Sequence, residues 1–275
     1  MTDPDGKVVL TTGANSGIGL ATVVKLATLG FRSVGTVRSK SKAATVTAAA
    51  EAAGVSVQTL MLDVTDEVRC AEVVDQVRPW AIVNNAGYSG VGAIEDVSDD
   101  EARRQLETMV VAPMRLARLA LPHMRSVRDG RIVNVSSIYG LTTTPFSGWY
   151  QASKHALEAA SDALRLEVAR DGIRVVLIEP GGFKTGIWEE LESDVSRRED
   201  SGYEAAYHRI QLLLGPFMRF MGEPEGAAKV IATALTVKSP HARYLVGRDA
   251  QMIAAAQPFL PAVLRDRVTR LLVGL

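Results

Sequence analysis

The stretch Thr12–Gly19 reads TGANSGIG and follows an apolar segment, residues 7–12, that is typical of a buried β-strand. A helical pattern then runs to Leu29, and Gly30 ends it. Glycines between a strand and a helix let the backbone turn tightly and approach a phosphate closely. The helix N-terminus offers free N–H groups to an anion. The stretch therefore predicts a strand–turn–helix unit that binds a pyrophosphate. The alternative is a glycine-rich turn without a ligand.

Apolar segments alternate with helical patterns along the rest of the chain. Further strands are predicted at residues 33–37, 55–62, 80–84, 131–136, 173–179 and 243–246. Helices are predicted at residues 39–53, 65–78, 98–125 and 149–170, with Thr65 as an N-cap and Ser98 with Glu101 as a capping box. Continuously apolar strands are typical of a parallel sheet covered on both faces. The sequence therefore predicts an α/β chain of one domain, residues 1–275, with a Rossmann-like, doubly wound, seven-stranded parallel sheet and helices on both faces.

Composition narrows the classes of function. The chain has 275 residues, 47% of them hydrophobic, which is enough for a substantial core. Its 31 basic and 31 acidic residues cancel, which argues against a nucleic-acid partner. One cysteine, Cys70, excludes an internal disulfide and fits a reducing compartment. There is no signal-peptide pattern, no apolar run long enough to span a membrane and no metal-ligand spacing among the four histidines. We therefore expect a cytoplasmic protein without a metal site.

Two residues four apart, Tyr150 and Lys154, suggest acid–base chemistry. On a predicted helix they lie on one face, one turn apart. At about 4 Å and an effective dielectric of about 20, their attraction is about 4 kcal/mol before desolvation, or roughly three pKa units. We therefore expect Lys154 to lower the tyrosine pKa toward the range of general acid–base catalysis. A chance pair on a solvated helix is the alternative.

Several short motifs, taken in order, resemble the short-chain dehydrogenase/reductase family. They are Thr12–Gly19, Asp63-Val64, Asn84–Gly87, Ser137, Tyr150–Lys154 and Pro180-Gly181 followed by Thr185. Each is weak alone, but the ordered set is specific and spreads over most of the chain. Residues 179–185, which read EPGGFKT, are most similar to the hydroxysteroid and retinol dehydrogenase branch.

The resemblance implies hydride transfer between a nicotinamide cofactor and a small carbonyl or alcohol substrate. In this reading Tyr150 exchanges a proton with the substrate oxygen, Lys154 assists it and grips the nicotinamide ribose, and Ser137 hydrogen-bonds the substrate oxygen. Ser136 is the neighbouring candidate for that serine. The implied cofactor-binding residues are Gly13, Asn15, Ser16, Gly17, Ile18, Gly19, Arg38, Asp63, Val64, Asn85, Ala86, Gly87, Tyr150, Lys154, Pro180, Gly181 and Thr185. Read without the family, Asp63 and Asn84–Gly87 are ordinary turn residues.

The end of the second predicted strand decides which dinucleotide is expected. An NAD site usually carries an acidic residue there that bonds the ribose 2′-hydroxyl. Here residues 35–40 read GTVRSK, and the next acidic residue is Glu51. Arg38 can bond a 2′-phosphate, with Lys40 or Lys42 adding positive charge. We therefore expect NADP(H) in preference to NAD(H), with a solvated basic turn as the alternative.

One position departs from the family pattern. Met109 stands where the family usually has an asparagine that helps position a proton-relaying water. A thioether is a weak acceptor and no donor. We expect hydride transfer to persist with a slower or rearranged relay. The second interpretation is an NADPH-binding sensor or scaffold with little turnover.

Two segments bear on the substrate and on assembly. Residues 186–224 are rich in apolar and aromatic side chains, so they form either a mobile lid over a lipophilic substrate or an ordinary packed helix. Within the helical segment 249–275, apolar residues recur at helical spacing, with Arg265, Arg267 and Arg270 mostly between them. That helix needs a surface to cover: its own domain, a second subunit or a membrane. We expect it to pack on protein, either as a lid over the substrate cleft or against a second subunit, rather than on a membrane. We also expect a homodimer or homotetramer.

Overall fold

The sheet predicted from the sequence is present. A computed structural model describes residues 4–186, 193–198, 201–218 and 221–275, apart from the side chains of residues 213, 214, 216, 217 and 258. Its strands are β1 (Val8–Thr11), β2 (Arg32–Val37), β3 (Gln58–Met61), β4 (Ala81–Asn84), β5 (Gly130–Val135), β6 (Ile173–Pro180) and β7 (Arg243–Val246). All neighbouring strands pair in parallel, in the order β3-β2-β1-β4-β5-β6-β7. The seven-stranded, doubly wound parallel fold is therefore confirmed.

Helices connect the strands. They are α1 (Gly17–Thr28), α2 (Lys40–Ala52), α3 (Glu67–Val77), α4 (Asp99–Leu106), α5 (Ala112–Val127), α6 (Gly148–Glu167), α7 (Glu204–Met218), α8 (Pro224–Thr236), α9 (Arg248–Ala256) and α10 (Ala262–Val273). The strand order reverses between β1 and β4, so the crevice at the carboxyl ends of these strands is where a ligand is expected.

Alternate residues of the strands pack under helices on opposite faces. Leu10 of β1 and Ile82 of β4 join the core beneath α3 and α5. Their neighbours Val9 and Val83 join the core beneath α1 and α8. Because successive side chains of a strand point to opposite faces, a continuously apolar strand buries both of its faces. Cys70 is buried in the first of these cores, as expected for a structural cysteine.

Three predicted element boundaries were wrong. Helix α3 is capped by Asp66, not Thr65, because the Asp66 carboxylate accepts a hydrogen bond from the Arg69 N–H while the Thr65 side chain bonds Asp63. Strand β3 covers only Gln58–Met61, the residues that face β2. The helix expected over residues 98–125 is interrupted by a π-helical turn, Glu107–Val111, and continues as α5.

The apolar segments near the carboxyl end of the chain are described only in part. The aromatic and apolar residues Trp188, Leu191 and Phe220 lie outside the described residues. Helix α10 contacts α7 but buries none of its residues, and Phe259 just before it is 84% exposed. Val273 packs on the core near Tyr207, but most of the apolar side of α10 is left exposed by its own domain. No helix in the described part of the chain is long and apolar enough to cross a membrane.

Candidate active site

The glycine turn between β1 and α1 is built for close backbone contacts. Gly13 and Gly17 have φ angles of +65° and +50°, a conformation that favours glycine. A Cβ added at Gly19 would lie 2.2 Å from the Gly13 carbonyl oxygen, so only glycine fits there. Ser16 is the N-cap of α1, but its side chain makes no capping hydrogen bond, and the first turn carries no acidic residue. The turn thus leaves the positive end of α1 available to an anion.

The end of β4 fixes this turn from the other side. The Asn85 and Ala86 N–H groups each donate to the Thr12 hydroxyl at 3.0 Å. The Asn85 side-chain amide donates to the carbonyl oxygens of Thr12 and Gly13 at 3.0 and 3.1 Å. These bonds join the Asn84–Gly87 motif to the glycine turn, at the point where the strand order reverses.

The ends of β2 and β3 bring Arg38 and Asp63 together. Asp63 accepts hydrogen bonds from the Thr65 N–H at 3.0 Å and the Thr65 hydroxyl at 2.8 Å. Partial burial raises the pKa of Asp63, but these bonds and the positive charge of Arg38 outweigh it and hold that pKa below its usual value. Val64 is buried, and its carbonyl oxygen accepts a hydrogen bond from Arg115. Arg38 is exposed, and no acidic residue occupies the end of β2 or the first turn of α2.

Ser137, Tyr150 and Lys154 meet at the carboxyl edge of the sheet. Ser137 follows β5 and its hydroxyl hydrogen-bonds the Tyr150 phenol. Tyr150 lies in the first turn of α6, and Lys154 lies one turn further, with its Nζ 5.6 Å from the centre of the tyrosine ring. Lys154 is 5% exposed and donates to the Val135 carbonyl oxygen at 2.9 Å. Lys154 is therefore anchored to β5, within electrostatic reach of the tyrosine.

The expected lowering of the Tyr150 pKa was wrong for this arrangement. Burial raises the pKa of Tyr150 to about 12; the Ser137 hydrogen bond lowers it and Tyr139 raises it, with a smaller effect. The Lys154 ammonium bonds the Val135 carbonyl rather than the phenol, so its charge does not offset the desolvation. Burial also lowers the pKa of Lys154 to about 8, against the raising effect of Glu158. Desolvation is therefore the main cause of the pKa shifts of both Tyr150 and Lys154.

The structure shows which of the two candidate serines faces Tyr150. It also shows two nearby residues that were not predicted from the sequence. Ser137 faces Tyr150, whereas the Ser136 hydroxyl has no hydrogen-bond partner in the described residues and points toward Gly140 and Glu158. Tyr139 packs edge-on against Tyr150, with ring centres 6.3 Å apart. Glu158 was also missed, although its position four residues after Lys154 was a usable signal.

The loop after β6 closes over the glycine turn. The Gly181 N–H donates to the Val246 carbonyl oxygen at 2.9 Å, and the Gly182 N–H donates to the Asp249 carboxylate at 2.6 Å. Pro180 is the last residue of β6. Thr185 lies against Gly17, since a Cβ added there would meet the Thr185 methyl at 2.8 Å. Thr185 therefore reaches the N-terminus of α1, while Gly181 and Gly182 are held by β7 and the start of α9.

Met109 is buried within the π-helical turn. It is 1% exposed, and its sulfur lies against Gly87, 3.2 Å from the position of an added Cβ. The turn also packs against α6, which carries Tyr150 and Lys154. Met109 therefore places a thioether at this point, with no hydrogen-bond donor.

The described part of the segment 186–224 packs on the body of the protein. The Tyr207 hydroxyl donates to Asp96 at 2.7 Å and accepts from the Ala93 N–H at 2.6 Å. The Tyr207 ring packs at 4.9 Å from the ring of Phe146, and Asp194 accepts from the Val91 N–H. In these residues the segment is a packed helix, one of the two alternatives expected.

Comparison with known proteins identifies the fold as a familiar one. A family model described as short chain dehydrogenase matches residues 7–196. The chain belongs to the short-chain dehydrogenase family. Members of this family are oxidoreductases that act on CH–OH and C=O groups. A solved short-chain dehydrogenase from Streptomyces avermitilis is 30% identical, with a TM-score of 0.76, covering 98% of this chain and 97% of that one.

Several known proteins align with this short-chain dehydrogenase over nearly its whole length. An uncharacterized oxidoreductase, YusZ of Bacillus subtilis, is 36% identical over 93% of this chain and 94% of its own. The NADPH-dependent 3-dehydrocapnine reductase of Ornithobacterium rhinotracheale is 31% identical over 95% of both chains. Retinol dehydrogenase 5 of Homo sapiens is 29% identical over 94% of this chain and 86% of its own. The expected family and its retinol dehydrogenase-like branch are confirmed.

Proposed function

We propose that this chain is an NADP(H)-dependent oxidoreductase that interconverts a carbonyl group and an alcohol, with Tyr150 as general acid and base. The observation that carries the proposal is the meeting of Ser137, Tyr150 and Lys154 beside the glycine turn. Ser137 hydrogen-bonds Tyr150, and Lys154 lies one helical turn away. A serine, a tyrosine and a lysine so placed can bind a substrate oxygen and exchange a proton with it.

The residues at the glycine turn fit a dinucleotide. Gly19 has no side chain and no room for one, and the Ser16 side chain does not bond the free N–H groups at the start of α1. A pyrophosphate can therefore approach these N–H groups closely. When bound, the nicotinamide supplies or accepts the hydride. The backbone N–H groups of residues 15–19 would hold the pyrophosphate, and Asn85, Ala86 and Gly87 would form the adjoining wall. Pro180, Gly181 and Thr185 would close the site from above.

Arg38 supports NADP(H) over NAD(H). It is the first residue after β2 and it is exposed. The strand end carries no carboxylate of the kind that binds the ribose 2′-hydroxyl of NAD. Asp63 and Val64 would border the adenine, with the Asp63 charge balanced in part by Arg38. The similarity to an NADPH-dependent reductase supports the same choice.

Each catalytic side chain has a distinct task in the proposed reaction. In the reduction direction, Tyr150 donates its proton to the carbonyl oxygen, while the Ser137 hydroxyl hydrogen-bonds that oxygen and positions it. A phenol with a pKa near 12 holds its proton at neutral pH and is suited to act first as an acid. Lys154 is anchored by Val135 and stabilises the phenolate that forms. In the oxidation direction Tyr150 accepts the proton.

A lipophilic substrate is the favoured class. The names of two similar proteins specify retinol and 3-dehydrocapnine as their substrates. Helix α7 is fixed near the loop after β4 by Tyr207 and Phe146, which provides an apolar wall. Gln257 donates to the Leu141 carbonyl oxygen, so the C-terminal segment also borders the loop between β5 and α6. We further propose a homodimer or homotetramer, since most of the large apolar side chains of α10 are exposed. We place this oligomer in the cytoplasm.

A cofactor-oxidation assay tests this function. The purified protein is mixed with NADPH or NADH and a panel of aldehydes and ketones that includes long-chain ketones and retinal. We expect substrate-dependent oxidation, faster with NADPH. Oxidation with NADH alone would overturn the cofactor assignment. The buried Met109 favours a second candidate, an NADPH-binding sensor with little turnover. Tight NADPH binding without turnover on the whole panel would support it.

A further inference from the structure

A line of titratable side chains runs along α6 from the candidate active site to the surface. Tyr150, Lys154, Glu158 and Asp162 follow one another at intervals of four residues, and each lies one helical turn beyond the last. The line spans about 18 Å. Lys154 and Glu158 are only 5% and 6% exposed, whereas the side chain of Asp162 is 35% exposed. The line therefore connects the buried lysine with solvent.

A second buried carboxyl, Glu179 of β6, joins this line. Glu179 is 1% exposed and is in hydrogen-bond contact with the Glu158 carboxyl. Both carboxyls lie within 3.2 Å of the same Arg243 Nε, and two ionised carboxylates so close repel each other, which favours a proton on one of them. Burial, with the charge of Glu158 as the next cause, raises the pKa of Glu179 to about 7. Glu179 can therefore hold or release a proton near neutral pH.

Arg243 of β7 connects the pair to the surface. Its Nε lies 3.2 Å from Glu158 Oε2 and 3.1 Å from Glu179 Oε1, but only the first contact has hydrogen-bond geometry. Its Nη2 donates to the Asp162 carboxylate at 2.5 Å. Asp162 also pairs with Arg165 at 3.2 Å, but one arginine, Arg243, cannot neutralise both buried carboxylates. The pair therefore keeps a proton and remains linked to the half-exposed end of the line.

Two polar atoms beside Gly140, one of them on Glu158 itself, line the space next to the pair. In the described part of the chain, Oε1 of Glu158 and the Ser136 hydroxyl have no hydrogen-bond partner. Both face Gly140: a Cβ added there would lie 3.3 Å from Glu158 Oε1 and 2.8 Å from Ser136 Oγ. Ser136 directly follows Val135, whose carbonyl oxygen holds the Lys154 ammonium. Among the described residues, the charged side chains that act on the pair or contact its neighbours are Lys154, Asp162, Arg243 and Arg165, which pairs with Asp162.

We propose that the Glu158–Glu179 pair carries protons between solvent and Lys154, in place of the relay that Met109 cannot support. The proposal rests on the proposed oxidoreductase function. In each reduction, Tyr150 gives its proton to the carbonyl oxygen, and Lys154 returns a proton to the phenolate. The neutral amine takes the proton of the pair, and the pair takes one from solvent. One solvent proton thus ends on the product alcohol for each hydride transferred.

The test compares steady-state turnover with a single turnover in Glu158→Gln and Glu179→Gln. An amide still donates a hydrogen bond to the remaining carboxylate but cannot pass a proton on. The exposed Glu167, the last residue of α6, supplies the matched control Glu167→Gln. We expect steady-state kcat to fall at least ~10-fold in both pair variants. The first hydride transfer keeps its rate, because Tyr150 starts protonated, and added imidazole restores turnover.

Other results would overturn the proposal. Unchanged kcat and pH profile in both variants would show that the pair is structural. Equal losses in the first and later turnovers would show that the pair only positions Lys154. Infrared difference titration needs no turnover: the wild type should show a protonated carboxylic acid near pH 7 that both variants lack. No such band would refute the shared proton. If the wild type shows the band but oxidises no NADPH with any substrate of the panel, the proposed oxidoreductase function is refuted and the shared proton is not.

Discussion

Replacing Arg38 with aspartate should change which cofactor binds. Arg38 is exposed just after β2, and its charge acts on Asp63 at the end of β3. The Arg38→Asp variant loses a phosphate-binding cation and gains a carboxylate that can accept from a ribose hydroxyl. A hydrogen bond between charged groups contributes ~1.5–3 kcal/mol, or about 10- to 150-fold in affinity. Because Arg38 is exposed, screening by salt favours the lower end of that range.

Fluorescence titration of NADPH and NADH at fixed salt measures this prediction. The Kd for NADPH should rise at least ~10-fold, while the Kd for NADH stays the same or falls. Arg32→Asp is a matched control, since Arg32 is an exposed arginine at the opposite end of the same strand. The control should leave both affinities unchanged. Equal weakening of NADPH and NADH by Arg38→Asp would refute the placement of Arg38 at the 2′-phosphate.

Three further predictions concern the relay, the acid pair and the C-terminal helix. Met109→Asn should raise kcat or shift its pH profile without changing the Kd for NADPH; no change in kcat or pH profile would show that Met109 does not limit the relay. The folded pKa of Glu179, about 7, exceeds its ordinary value of 4.5, so the free energy of unfolding should fall as pH rises through that interval. Urea unfolding at a series of pH values measures this dependence, and Glu179→Gln should make the free energy of unfolding less dependent on pH. The same pH dependence in the variant would contradict the raised pKa of Glu179. Truncation after Ala256 removes α10 and should yield monomers or aggregates by size exclusion. An unchanged, active oligomer that has lost only liposome binding would favour a membrane surface.

The fold was readable from the sequence because its signals are local and repeated. Each buried strand is a short apolar run, and glycines or caps mark most helix ends. The failures occurred where tertiary contacts decide. The turn Glu107–Val111 is π-helical within an otherwise helical pattern, and Glu107 bonds the buried Arg115, a contact that no local pattern shows. The N-cap of α3 moved to Asp66 because Asp63 captures the Thr65 hydroxyl.

The candidate site was predicted in its parts but not in its electrostatics. Spacing and family resemblance gave Ser137, Tyr150 and Lys154, which the structure brings together. Spacing could not show that burial raises the pKa of Tyr150, or that Lys154 bonds a main-chain carbonyl and does not offset that rise. Glu179 was also out of reach, because the way β6 packs on the preceding helix α6, and not any residue spacing, brings it to Glu158.

Replacing Tyr150 with phenylalanine tests the central claim most directly. The substitution removes the hydroxyl that Ser137 bonds while keeping the ring that packs against Tyr139. Stopped-flow oxidation of NADPH by the preferred carbonyl substrate measures the first hydride transfer, and a parallel titration measures the Kd for NADPH. General acid–base catalysis contributes ~10²–10⁴, so the rate should fall at least ~100-fold while the Kd stays the same. A wild-type rate in Tyr150→Phe would contradict the account.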